Sequence, residues 1–192
     1  VLPQIKEKYK KIDFLLHGYT MAGYYPQCTV SLTKEEMLKE SQRVMKINYE
    51  RCMNYIKDLN PDFFMPFAGR YLLAGKLAKL NDRTANFPPI HAKKYLEKNY
   101  QNELKNKRCV VLNTFEYFDL EKKEQSKEYK EYDKKEVDNY IENVLSKIKF
   151  SYENDHLPTK EKIYSLLQKS YERMNEKRKI IGFETDTNVY IK

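Results

Sequence analysis

The sequence has no tryptophan, and its 192 residues include only three cysteines, three histidines and five glycines. Cys28, Cys52 and Cys109 are far apart and odd in number. They suggest neither a metal-binding pair nor a disulfide framework, so a reducing, cytoplasmic setting is expected. No run of 18 apolar residues occurs, which argues against a membrane-spanning helix, and the opening residues are not expected to form a signal peptide. His17, His91 and His156 never stand at HxH or HxxxH spacing, so no metal site is legible. GxSxG, Walker A and GxGxxG patterns are all missing, leaving serine hydrolase, P-loop and dinucleotide-binding readings without their motifs. A block of one charge sign is lacking too. The formal net charge is +8, yet Lys and Glu interleave, as in "EKKEQSKEYKEYDKKEVD" from Glu121 to Asp138. Such mixing gives a weak local field, so nucleic acid is not expected as a partner.

What is there suffices for a lean core: 41% of residues are apolar and a third are charged. The length fits one ordinary domain, or one with a small second. Ile5, Tyr9 and Ile12 recur at helical spacing, and Ile12–Leu16 reads as a buried strand ended by Gly18. An aromatic-rich loop follows. Thr33, with Glu36 three residues on, then predicts a capped helix. Leu38, Met45, Cys52 and Leu59, with Tyr49 and Ile56 between them, predict one apolar stripe of roughly 40 Å at 1.5 Å per residue. Asn60-Pro61 ends that helix, and Asp62–Met65 is the next strand. The order strand, loop, helix, strand makes a βαβ unit with parallel strands.

Further on, residues 81–89 are turn-rich, a helix is expected over Ile90–Leu104, and Cys109–Leu120 reads as a strand pair or one bent strand. After Glu121 the composition shifts to charged residues. Helices are expected over Lys134–Ile148 and after Thr159, and "KIIGFETDTNVYIK" reads as strand, turn, strand. The expected division is therefore 1–121 and 122–192. The Val at position 1 and the strand-like close "NVYIK" are read as marks of a longer protein.

In open α/β sheets ligands bind beyond the carboxyl ends of the strands. Both unusual loops, Gly18–Ser31 and Pro66–Lys76, leave from such ends and should be neighbours in space. They hold the candidate substrate-binding residues. His17 stands at a strand end. Tyr19, Tyr25 and Gln27 offer hydroxyls and an amide suited to a sugar or nucleotide. Arg70 offers a bidentate fork for phosphate or carboxylate, and Phe67 stands beside it. His91 and His156 read as surface residues.

The stretch "IDFLLHGYTMAGYYPQC", a long Lys/Glu helix, and then "LNPDFFMPFAGRYLLAGK" together resemble the second half of the CMP-N-acetylneuraminate hydroxylase family and its bacterial metallo-β-lactamase-fold relatives. "IIGFETDTN" is similar to a segment near that family's C-terminal end. The resemblance is strongest over Ile12–Lys76, and the Pro-Phe-Ala-Gly context is its most specific part. It implies an α/β fold, half of an αββα sandwich, with a small, mostly helical C-terminal extension. It also implies the substrate-cleft side of a metalloenzyme, hydrolase or hydroxylase-like, acting on a sugar nucleotide or another phosphorylated small molecule. The family's HxHxDH ligands would lie before Val1. Phe67-Ala68-Gly69 stands where a late His is usual. No metal is therefore expected in this chain, while zinc or iron is expected in the full-length protein. The hydroxylase's iron–sulfur centre has no counterpart here. The partners expected are a small-molecule substrate and a missing N-terminal half or second chain. A non-catalytic binding or structural module stays open as the alternative.

Overall fold

Thr33 starts the longest helix beside the sheet. Its hydroxyl accepts from the Glu36 amide at 3.3 Å, and the Glu36 carboxylate accepts from the Thr33 amide at 2.8 Å. The Thr33 amide and the Thr33 hydroxyl, both donating to that carboxylate, hold the Glu36 carboxyl below its usual range. Two of the four orphan amides of the helix are thus satisfied before its first turn ends. Thr33→Ala is expected to cost about 1 kcal/mol, read as a lower urea midpoint with an unchanged slope.

The computed structural model describes residues 2–182. Within them the chain divides into two compact units between Ile148 and Lys149. The first opens with helix α1 (Leu2–Lys8), strand β1 (Phe14–Gly18), the capped helix α2 (Lys34–Leu59) and strand β2 (Phe63–Phe67). A 3₁₀ stretch (Gly75–Arg83) leads to helix α3 (Pro89–Asn99), the single turn α4 (Gln101–Leu104) and the short strand β3 (Arg108–Cys109). The three strands form one parallel sheet in the order β1-β2-β3, with Phe14 opposite Phe63, His17 opposite Pro66 and Phe64 opposite Cys109. The βαβ reading is therefore what the chain forms. Asn60, in the left-handed region at φ 47°, ends α2 just before Pro61.

One sheet face carries the core. Phe64 and Cys109 pack with Tyr49, Cys52, Met53 and Ile56 of α2, Ala92 and Leu96 of α3, and Leu104. Burial pushes the Cys52 thiol up to about 12, so this residue serves as a small hydrophobe. The other face holds Phe14 and Phe63, whose rings meet Phe118 at 5.3 and 4.9 Å. Toward the carboxyl end of that face, Leu16 and Phe67 are 54% and 50% exposed.

The buried stripe of α2 differs from the expected one. It runs through Met37, Ser41, Val44, Asn48, Cys52 and Ile56, while Leu38 is exposed. A strict seven-residue repeat drifts round a 3.6-residue helix. The stripe that stays on the sheet therefore admits Ser41 and Asn48.

The expected helix 90–104 breaks at Tyr100, whose ψ is 38°. The strand pair or bent strand expected over 109–120 is extended only near its two ends. The Val110 amide still donates to Phe64 O at 2.8 Å, but the Glu116 carboxylate then accepts from the Asn113 amide at 2.8 Å and closes a turn. Phe115 there takes a positive φ of 66°. Only Phe118–Asp119 is extended beyond it. It is strand β4, paired antiparallel with β5 (Glu124–Gln125).

The boundary expected at 121/122 falls inside the first unit. The side-chain amide of Gln125 donates to Val111 O at 2.9 Å. Asn113 clamps Lys130 through two 2.8 Å bonds, accepting from its amide and donating to its carbonyl. Helix α5 (Lys134–Asn143) and a 3₁₀ turn (Leu145–Lys147) complete the unit. A polar clamp and a short hairpin thus hold a charged stretch that has no aliphatic side chain to bury.

The second unit has a 3₁₀ turn (Ser151–Asn154) and helix α6 (Lys160–Ile181), capped by the Thr159 hydroxyl. Lys179–Ile181, expected as the start of a strand, is the last turn of α6. Gly182, at φ 66°, supplies the left-handed stop. The strand expected after it lies outside the described residues.

Candidate functional site

The two loops at the carboxyl ends of β1 and β2 interlock. Tyr71 donates its hydroxyl to Gly23 O at 2.8 Å and meets the Tyr24 ring edge-on at 5.3 Å. Ala68 and Gly69 carry positive φ values of 51° and 126°. Gly69 lies so close to Thr20 that a Cβ built on it would stand 1.6 Å from the Thr20 hydroxyl oxygen. This double turn swings Arg70 away from the sheet and onto one wall of a cavity.

The cavity has a volume of about 450 Å³, within the ordinary range for small-molecule sites. Its walls come from four segments. Arg70 and Tyr71 follow β2. Asn81, at the end of the 3₁₀ stretch, is fixed by accepting from the Leu73 amide and donating to Leu73 O and Ala78 O. The run Thr84–Pro88, bent at Ala85, contributes Asn86 and Phe87, and leads into α3 and His91. The fourth wall is Tyr129, Glu131 and Tyr132, from the stretch between β5 and α5, with Lys134 and Asp138 of α5.

The chemistry at these walls is mostly donor chemistry. The Arg70 guanidinium lies over the Tyr132 ring at 5.9 Å, and among the described residues no carboxylate pairs with it. The hydroxyl of Tyr129 is buried without a hydrogen-bond partner. Burial pushes this phenol up, the Tyr132 and Glu131 charges push the same way, and Arg70 opposes. His91 stacks on Phe87, with centroids 5.4 Å apart and planes 17° apart. Partial burial lowers its pKa first, Lys94 and Arg70 add to the lowering, and Glu131 opposes. The imidazole is therefore neutral at pH 7. Glu131 itself is held by Lys94 at 2.5 Å.

Of the six residues named from sequence, Arg70 alone lines this cavity. Tyr19 is buried behind it, where its hydroxyl donates to Phe87 O at 2.9 Å and sets the position of that wall. Gln27 is likewise buried and donates to Leu80 O at 2.9 Å. His17 packs on Tyr55 of α2 at 4.3 Å between centroids, with Nδ1 unpartnered. Tyr25 is exposed and donates to Glu40 at 2.7 Å. Arg43 and this bond hold the Glu40 carboxyl down at about 2. Phe67 lies on the open sheet face. His91, read as a surface residue, Tyr129 and Tyr132, in the charged stretch read as a linker or solvated helix start, and Lys134, read as the start of a helix, are the side chains that sequence reasoning missed as site residues. The one signal for them was a pair of tyrosines in an otherwise charged run.

Among the described residues no three His, Cys, Asp or Glu side chains converge on a point that could hold a metal ion. No helix of the described residues is long and apolar enough to cross a membrane. No family model, curated protein or solved structure matches the chain.

Proposed function

We propose that the cavity beyond β2 binds a phosphorylated small molecule, a sugar nucleotide in the first instance. The observation that carries this is the Arg70 guanidinium. It has no carboxylate partner among the described residues and shares a 450 Å³ cavity with the unpartnered Tyr129 hydroxyl. A buried donor without an acceptor costs about 1–3 kcal/mol, a cost that an oxygen-rich ligand removes. Lys134 and the Thr84 hydroxyl add donors, and Phe87 and Tyr132 supply aromatic surface for a ring.

In this reading the chain is the substrate-cleft part of a metallo-β-lactamase-fold enzyme, hydrolase or hydroxylase-like. The parallel sheet supports it, with helices on one face and exposed Leu16 and Phe67 on the other. Half of an αββα sandwich would look like this. The zinc or iron of such an enzyme would be held by other parts of the full-length protein, and no reaction step is assigned to it.

A second reading, a binding module without catalysis, is favoured by a different observation. No hydrogen-bonded nucleophile and base meet at the cavity among the described residues.

Calorimetric titration with CMP, nucleoside diphosphate sugars and inorganic phosphate tests the binding site. At least one should bind with a dissociation constant below about 1 mM, or some 4 kcal/mol. Failure of all of them to bind would remove the reading. Metal analysis of the full-length gene product then separates the two forms, since zinc or iron in stoichiometric amount is expected only of the enzyme.

A further inference from the structure

The opposite, amino end of the sheet carries a second cleft, of about 420 Å³, lined by Asp62, Phe63, Lys105, Lys107, Arg108 and Lys123 among others. Four cations share it with one carboxylate, and that carboxylate is occupied. Asp62 is bound by Lys11 at 2.9 Å, and Lys123 and Lys107 lie close enough to lower its pKa further.

None of the four lining cations has a carboxylate partner among the described residues. Two are held by neutral oxygens instead. Lys107 donates to the Asn60 side chain, at the left-handed cap of α2. Arg108 donates to Lys123 O at 2.9 Å and to Gln125 Oε1 at 3.5 Å, with its guanidinium 5.7 Å from the Phe118 ring centroid. Lys123 sits at the tip of the β4–β5 hairpin with φ 58°. That turn is built by Asp119 Oδ1, which accepts from the Glu121 and Lys122 amides at 2.9 Å. Neutral acceptors orient a cation without cancelling its charge. Two of these side chains are therefore positioned in advance, and the backbone that carries Lys123 is fixed, while their attraction for an anion stays unspent.

We infer that this cleft is a second anion site, and that it takes linked phosphates: two or more phosphoryl groups in a chain. Four separated cations along one cleft match a repeated charge better than a single phosphate. The cleft is distinct from the Arg70 cavity, because its residues border the amino ends of β2 and β3. The same chemistry is offered by a small oligophosphate and by a nucleic-acid backbone.

The test measures binding of pyrophosphate by calorimetry and of a fluorescent single-stranded 12-mer by anisotropy, at several salt concentrations. Wild type is compared with Lys107→Gln/Lys123→Gln and with Lys34→Gln/Lys39→Gln. The second pair lies near the start of α2, roughly 31–39 Å along the helix from Asn60 at about 1.5 Å per residue. All four side chains are cations outside the core, so both doubles should unfold at the wild-type temperature.

The cleft pair should weaken binding at least about tenfold. With the oligonucleotide it should flatten the log–log salt slope by about 1.4, at roughly 0.7 for each phosphate no longer neutralised. The distal pair should leave both within twofold. Tighter binding of pyrophosphate than of the 12-mer identifies the small anion as the ligand, and the reverse order identifies nucleic acid. Equal loss in both doubles, or no binding of either probe by wild type, overturns the inference.

Discussion

Gly69→Ala is expected to destabilise the first unit by about 2–6 kcal/mol, seen as a large drop in the urea midpoint. Two costs add. At φ 126° an L-residue is strained, which typically costs about 1–3 kcal/mol. The new Cβ would also stand 1.6 Å from the Thr20 hydroxyl oxygen and 2.9 Å from the Thr20 Cβ, and overpacking of this kind costs roughly another 1–3 kcal/mol. Rotating Thr20 about χ1 removes the first clash but not the second, because Cβ moves only with the backbone. The loops after β1 and β2 must then separate, and the Tyr71 bond to Gly23 O goes with them. Against a total stability of some 5–15 kcal/mol the loss is large.

A double-mutant cycle isolates the packing part. Thr20→Gly in the Gly69→Ala background should recover the clash and leave the strain, a coupling of about 1–3 kcal/mol. A Gly69→Ala protein within about 0.5 kcal/mol of wild type, the ordinary range for surface changes, would show that this close approach does not hold the two loops together.

Gly69 also marks where the sequence was readable and where it was not. Local chemistry was legible: the Thr33–Glu36 box, the Asn60-Pro61 stop and the Thr159 cap follow from residues within a few positions of one another, and the parallel βαβ order follows from the succession of elements they delimit. The meeting of the two loops followed as well, because it is a consequence of parallel strands. Side-chain direction did not. Tyr19 and Gln27 sit in a polar-looking loop, yet both are buried and satisfy backbone carbonyls 68 and 53 residues away. The fourth wall of the cavity was invisible for a related reason. Residues 124–133 carry no periodic apolar pattern, and what returns them to the domain is the Asn113 clamp on Lys130 and the Gln125 bond to Val111 O. Each is a polar bond to a residue 14–17 positions away, which hydrophobic periodicity does not record.

Arg70→Ala is expected to weaken binding of a phosphorylated ligand by 10- to 150-fold, the equivalent of about 1.5–3 kcal/mol for hydrogen bonds to a charged group. Arg70→Lys should recover only part, since an ammonium keeps the charge and loses both the fork and the stacking on Tyr132. The pH dependence gives an independent reading of the same cavity. In the free protein, burial, Lys94 and Arg70 lower the His91 pKa, and Glu131 raises it. Lys134 and Asp138 line the same space. A bound anion favours the imidazolium, so the pKa in the complex lies above that in the free protein. The gain in affinity is then fully present below the free-protein pKa and is lost as pH rises through the pKa of the complex. A phosphodiester ligand, which has no proton of its own to titrate between pH 5 and 8, should therefore bind more tightly as pH falls across this window. In His91→Gln the profile should be flat while the binding at pH 8 is retained. Arg70→Ala removes one of the charges that depress His91, so its free-protein pKa moves up, toward 6.5, and the rise in affinity shifts to higher pH. A pH-independent wild-type affinity, together with an unchanged Arg70→Ala affinity, would place the ligand somewhere other than this cavity.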